Sequence, residues 1–147
     1  MNTPWLSIII PAYREQSNIG ALLSHVAELP APGGMEVLVA DGDPERSTLA
    51  AIPFGAAIPL PTEKGRARQM NAGARAARGD ILLFLHADTR LPPDAFTLIK
   101  TALDDPRACG GAFSLAIQPK EGEPGPGLRL IAWAANQRTR LTRRFTP

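Results

Sequence analysis

With 147 residues, of which 44% are hydrophobic and 20% charged, the chain has the length and composition of one globular domain, and disorder over most of it is excluded. A net charge of +2 and a pI near 9.1 are too mild for a nucleic-acid footprint. Thirteen of the sixteen basic residues are Arg, whose planar forks suit anions such as phosphates.

The first apolar run, Leu6 to Ile10, is too short for a helix and shows no alternation, so it predicts a strand buried on both faces. Ser17 to Leu29 carries Ile19, Leu22, Leu23, Val26 and Leu29 at helical spacing, with Ser17 placed to cap the start. Met35 to Ala40 predicts a second buried strand, completing a βαβ unit. A short helix near Arg46 to Ala51 and a weak strand around Ala56 to Leu60 follow.

From Lys64 to Arg78 the spacing predicts a helix with Ala67, Met70, Ala74 and Ala77 on the apolar face. Arg75 and Arg78 are read as a solvated basic face, and Gly79 as the stop. Ile81 to Leu85 predicts a third buried strand, Pro93 to Leu103 a helix, and Gly111 to Ile117 a further strand. Pro119 to Gly127, PKEGEPGPG, predicts a loop, and Leu128 to Phe145 a basic helical tail carrying Arg129, Arg138, Arg140, Arg143 and Arg144. The expected organisation is therefore a doubly wound, mostly parallel α/β domain over residues 1–118, a Pro/Gly-rich loop over 119–127 and the tail over 128–147.

Cys109 is a lone cysteine without a disulfide partner, no Cys/His cluster has zinc spacing, and a cytoplasmic setting fits. The start, MNTPWLSIIIP, lacks a basic n-region, and no run reaches the roughly 18 apolar residues of a membrane span. Neither a secretion signal nor a transmembrane helix is expected.

In open parallel sheets, ligands bind beyond the carboxyl ends of the strands. Those positions are polar here: Pro11-Ala12-Tyr13-Arg14-Glu15 after the first strand, Asp41-Gly42-Asp43 after the second, His86-Ala87-Asp88-Thr89 after the third. Asp88 is the expected ligand for Mg²⁺ or Mn²⁺ bridging to phosphate oxygens, with His86 as a weaker second ligand. Glu63-Lys64-Gly65-Arg66-Ala67-Arg68 places a glycine and three cations at a helix start, a setting for a diphosphate. No P-loop and no G-x-G-x-x-G after a strand occurs.

These segments resemble the family 2 glycosyltransferases of the GT-A fold, a Rossmann-like layout. The resemblance lies in Ser7-Ile8-Ile9-Ile10-Pro11-Ala12-Tyr13-Arg14-Glu15 with Asn18, in Glu36-Val37-Leu38-Val39-Ala40-Asp41-Gly42, in Gly65-Arg66-Ala67-Arg68-Gln69-Met70-Asn71-Ala72-Gly73 and in Phe84-Leu85-His86-Ala87-Asp88-Thr89. It implies a pocket for a nucleoside-diphosphate sugar. Pro11, Ala12, Tyr13 and Glu15 would line it, Asp41 would bond the base, and Lys64, Gly65, Arg66, Arg68 and Asn71 would approach base and diphosphate. Ala87 would stand beside the metal-binding Asp88.

The family's D-x-D reads His86-Ala87-Asp88 here, a form similar to a bacterial subgroup often called selenodomain-associated transferase 2. The resemblance further implies inverting sugar transfer to an acceptor that the residues do not name. The acidic residue that members use as general base lies beyond what this chain matches, and no catalytic base is assigned. A catalytically impaired or non-catalytic nucleotide-sugar-binding module is the alternative.

A sugar-phosphate nucleotidylyltransferase would carry a Gly-rich loop after its first strand, whereas PAYREQSN has no glycine before Gly20. Only Trp133 and Phe145 interleave the tail's arginines, so no nucleic-acid partner is expected; a peripheral contact with the inner membrane stays open. Oligomeric state is not legible.

Overall fold

The structure is a computed structural model that describes residues 3–117 and 125–142. The chain divides into two compact units, Met1–Leu98 and Ile99–Pro147.

In the first unit, β1 (Leu6–Ala12) is buried at every position, as a run of Ile and Leu between two layers demands. The helix α1 (Ile19–Glu28) turns Ile19, Leu22, Leu23 and Val26 inward. It starts two residues later than the sequence suggests: Asn18 occupies the cap position with no capping hydrogen bond, and Ser17 is exposed. The turn is closed instead by the Glu15 carbonyl, which accepts from the Asn18 and Ile19 N–H groups. β2 (Met35–Asp41), α2 (Ser47–Ala50) and β3 (Ile58–Pro61) follow.

The helix α3 (Arg66–Ala76) departs from its expected facing: its buried residues are Gln69 and Gly73, while Ala67 is exposed and Met70 and Ala74 are half-buried. A Cβ on Gly73 would collide with the Ile9 side chain. The helix therefore lies against β1 through its smallest residue, and the close approach of backbones selects the face that bulk alone does not.

β4 (Ile81–Phe84) pairs with β1, and the strands form one parallel sheet in the order β3-β2-β1-β4. The expectation that this strand is buried on both faces fails: Leu82 and Phe84 are 41% and 42% exposed. Among the described residues it is an edge strand covered on one face, so its pattern alternates as β1's does not. The helix α4 (Ala95–Leu103) then buries Ala95 and Phe96.

In the second unit, Gly111 to Ile117 is not a strand. No strand pairs with it among the described residues; the backbone N–H and carbonyl of Leu115 are taken instead by the Asn136 side-chain amide, at 2.8 and 2.9 Å. The helix α5 (Gly125–Thr142) begins inside the expected Pro/Gly loop, with Pro126 in the first turn, where its missing N–H has no helical partner to lose. The rest of that loop, residues 119–124, lies outside the described residues, as do Arg143, Arg144 and the side chains of Arg129, Arg138 and Arg140.

Candidate functional site

From β1 the chain steps to β2 and β3 on one side, then returns to place β4 on the other. The carboxyl ends of β1 and β4 thus flank the point where strand order reverses, the place where open α/β sheets leave a crevice. A cleft of about 270 Å³ opens there, and all of its lining belongs to the first unit.

One wall continues β1. Pro11 and Ala12 are buried, while Tyr13 and Glu15 face the cleft. Arg14 between them has φ 59°, a left-handed conformation uncommon for a side-chain-bearing residue, and its guanidinium lies 3.7 Å from the Asp43 carboxylate. The Glu15 N–H donates to Thr48 Oγ1 at 3.0 Å, and its carboxylate accepts from Asn18 Nδ2 at 2.8 Å. The Lys64 ammonium sits 4.3 Å from the centre of the Tyr13 ring, in cation–π range.

The second wall comes from the start of α3. Lys64, Gly65, Arg66 and Gln69 line the cleft. Gly65 caps the helix at φ 136°, which a Cβ-bearing residue rarely adopts, and so turns the first N–H groups of α3 toward the same end of the sheet. Gly42 permits the approach of this segment: a Cβ there would lie 2.9 Å from the Lys64 Cα.

The segment after β4 supplies the third wall, His86, Ala87 and Asp88. The pKa of His86 is lowered by burial first and by the Arg66 charge second, with Asp88 and Glu15 pulling the other way. The ring is therefore neutral at pH 7 and keeps a nitrogen lone pair. Asp88 is exposed, and among the described residues the one hydrogen bond that reaches its carboxylate comes from Thr89 Oγ1 at 3.4 Å.

Among the described residues no three His, Cys, Asp or Glu side chains converge into a cage. One free carboxylate beside one neutral imidazole is nevertheless the donor set of a cation shared with phosphate oxygens, since Mg²⁺ and Mn²⁺ sites in phosphate chemistry commonly use one or two carboxylates plus the substrate. The residues present thus fit such an ion.

Three other expected site residues stand outside the cleft lining. Asp41, 1% exposed, accepts through Oδ1 from the Asp43 N–H at 3.0 Å and through Oδ2 from the Leu49 N–H at 3.3 Å, so it holds the loop after β2. Arg68 pairs with Glu63 at 2.8 Å on the surface, and Asn71 is exposed along α3. Beside Asp41, Asp43 is held below the usual carboxylate range, mainly by its hydrogen bond from Ser47 Oγ.

Sequence reasoning passed over Gln69. It is 4% exposed, lines the cleft, and donates from Nε2 to the carbonyls of Ala12 and Ala40, the latter at 3.0 Å. A glutamine four residues before the glycine that meets Ile9 shares that glycine's helix face, and this spacing was the available signal. Arg78 also departs from its expected solvated role. Its guanidinium donates twice to Glu36 Oε2, at 2.9 and 2.7 Å, at the amino end of the sheet.

Solved structures share the architecture. The mannosyltransferase PcManGT from Pyrobaculum calidifontis, determined in complex with GDP-Man and Mn²⁺, superposes with a TM-score of 0.60 at 26% identity, over 70% of this chain and 33% of that one. TarS of S. aureus shares the fold at 20% identity and a TM-score of 0.58. Among curated proteins, an uncharacterized glycosyltransferase of Haemophilus influenzae is 33% identical over 92 residues, 60% of this chain and 31% of the relative. A dolichol-phosphate mannosyltransferase of Pyrococcus furiosus is 28% identical over 104 residues, 67% and 30% of the two chains. The chain spans about a third of the length of the curated relatives it matches. The family model described as glycosyl transferase family 2 matches residues 7–146, and a match over nearly the whole chain, on the parallel α/β sheet of the GT-A fold, makes this protein a member of that family.

Proposed function

We propose that this chain is the donor-binding part of a glycosyltransferase that holds a nucleoside-diphosphate sugar in the cleft at the ends of β1 and β4 and passes the sugar to an acceptor with inversion. The observation that carries the reading is the convergence of three strand-end segments on one cleft: an aromatic ring, a cationic helix start and a free carboxylate beside a neutral imidazole. Each matches one part of such a donor. The Tyr13 face suits a base, the N-terminus of α3 with Lys64 and Arg66 suits a diphosphate, and Asp88 with His86 suits a Mn²⁺ or Mg²⁺ ion.

PcManGT, 26% identical, was solved with GDP-Man and Mn²⁺, which supports the same ligand class here. A divalent cation at Asp88 supplies Lewis-acid stabilisation of the departing diphosphate. This chain's own residues orient the donor: Pro11 and Ala12 form the floor, Ala87 leaves room beside the metal position, and Arg66 offers a fixed cation to developing phosphate charge. Asp41 serves the base side of the cleft through the loop after β2, which its two backbone contacts hold in place. Arg68 and Asn71 serve at the periphery. The His86-Ala87-Asp88-Thr89 form keeps the selenodomain-associated subgroup within the reading.

Residues 1–118 are proposed as the binding domain, and no general base is assigned. No helix among the described residues is long and apolar enough to cross a membrane. A thermal-shift screen of nucleoside diphosphates and their sugars, with and without Mn²⁺, tests the reading. A Mn²⁺-dependent rise in melting temperature for a subset sharing one base is expected. No shift with any nucleotide at millimolar concentration sinks it.

A further inference from the structure

The Gln69 side chain reaches two main-chain carbonyls and still faces the cleft. Its Nε2 carries two hydrogens, and both are used, one by the Ala12 carbonyl at the end of β1 and one by the Ala40 carbonyl in β2. This fixes the orientation of the amide. Turned over, it would set Oε1 against two carbonyl oxygens with no proton between them, so the network itself decides which atom is oxygen.

Oε1 then has no donor among the described residues, yet no buried side-chain oxygen or nitrogen there lacks a partner. Oε1 is therefore accessible, and the open space beside this residue is the cleft. Gly42 makes the arrangement sterically feasible, since a Cβ there would lie 3.2 Å from the Gln69 Cδ.

We infer that Gln69 is a specificity-determining residue: its pinned Oε1 is a fixed hydrogen-bond acceptor that selects an N–H or O–H donor on the nucleoside of the bound substrate. The inference rests on the proposed nucleotide-sugar reading. It differs from a purely structural account, in which Gln69 only ties α3 to the ends of β1 and β2. A rigid acceptor discriminates strongly, because an analogue lacking the donor leaves Oε1 desolvated and unpaired.

The test is a cycle between ligand and protein, read with uncharged nucleosides so that charge on the variants does not act on phosphate. Starting from the base selected by the nucleotide screen, calorimetry compares the parent nucleoside, its ring N-methyl form and its 2′-deoxy form on wild type, Gln69→Ala and Gln69→Lys. The lysine ammonium can donate to both carbonyls but offers no acceptor, so Gln69→Lys keeps a donor at the tie and removes the acceptor.

On wild type, one of the two modified nucleosides is expected to bind about tenfold more weakly than the parent. On Gln69→Lys the parent should fall by the same factor, with no further loss on modification and a melting temperature near wild type. Which modification shows the loss separates base from ribose. Should Gln69→Lys not fold, Gln69→Ala carries the same comparison, and should neither fold, wild type alone must still discriminate. Equal affinity of all three nucleosides on wild type, or the same discrimination retained in a folded variant, overturns the inference. Failure of any nucleotide to bind wild type would instead overturn the nucleotide-sugar reading, so the two failures are distinct.

Discussion

The two ends of the sheet use the same side-chain chemistry for opposite ends. At the amino end, Glu36 is 7% exposed and every contact around it closes inward: Ser7 Oγ donates at 2.7 Å, the Arg78 N–H at 2.6 Å, and the Arg78 guanidinium twice, while Ser7 Oγ itself accepts from the Gly79 N–H at 2.8 Å. At the carboxyl end, Asp88 is exposed with one weak contact, and Arg66 pairs with no carboxylate among the described residues. A carboxylate saturated by the protein stabilises the fold, and one left open is available to a ligand. Neighbouring charge decides this less than whether the local backbone offers N–H groups to close on.

The sharpest break of this comparison is Asp88→Ala. We expect metal-dependent affinity for a nucleoside diphosphate to fall on the order of a hundredfold, with unfolding free energy changed by less than about 0.5 kcal/mol. Titration calorimetry with and without Mn²⁺ and a urea melt measure the two sides; unchanged affinity would remove Asp88 from the metal site.

Gly73→Ala probes the packing that both ends share. The new methyl meets Ile9, and overpacking of this kind costs roughly 1 to 3 kcal/mol. A neutral result in chemical denaturation would mean that α3 shifts without cost.

Arg78→Ala acts on the closed end alone. The Arg78 side chain is 60% exposed and the backbone N–H and Ser7 contacts survive, so the loss at pH 7 should be about 1 to 2 kcal/mol. Burial by itself raises the Glu36 pKa, but hydrogen bonds from Ser7 and Arg78, with the Arg78 charge, bring it below its ordinary 4.5. The stabilisation is thus fully present above pH 4.5 and is lost as pH falls through the lower folded value. Wild type should lose its advantage over the variant across that acid window. A constant gap in urea midpoint from pH 7 to pH 3 would refute the assignment.

The smallest effect is expected from His86→Ala, less than about tenfold in metal-dependent affinity, because an exposed carboxylate dominates a half-buried neutral ring at a hard cation. A loss exceeding that of Asp88→Ala would reverse the order of the two ligands.

The four strands and the helices of the first unit were legible in the sequence to within a few residues. Apolar runs too short for helices and the Ile19, Leu22, Leu23, Val26 spacing are local signals, and the sheet answers them directly. Pro11, Ala12, Tyr13 and Glu15, Lys64 to Arg66 and His86 to Asp88 meet at one cleft, because parallel topology brings strand ends together wherever they lie in the chain. Gly111 to Ile117 shows the limit. Its composition favours a strand, but a strand needs a neighbour to take its hydrogen bonds, and Asn136 takes those of Leu115.

Tertiary structure alone decided which polar groups close on the protein and which stay open. Glu36 and Arg78 are 42 residues apart, Gln69 and Ala12 are 57, and no period or spacing encodes such pairs. The residues themselves determined the elements and their order, since hydrophobic periodicity acts over a few neighbours. Hydrogen-bond satisfaction and close approach, as at Gly73 against Ile9 and Gly42 against Lys64, exist only once distant segments meet.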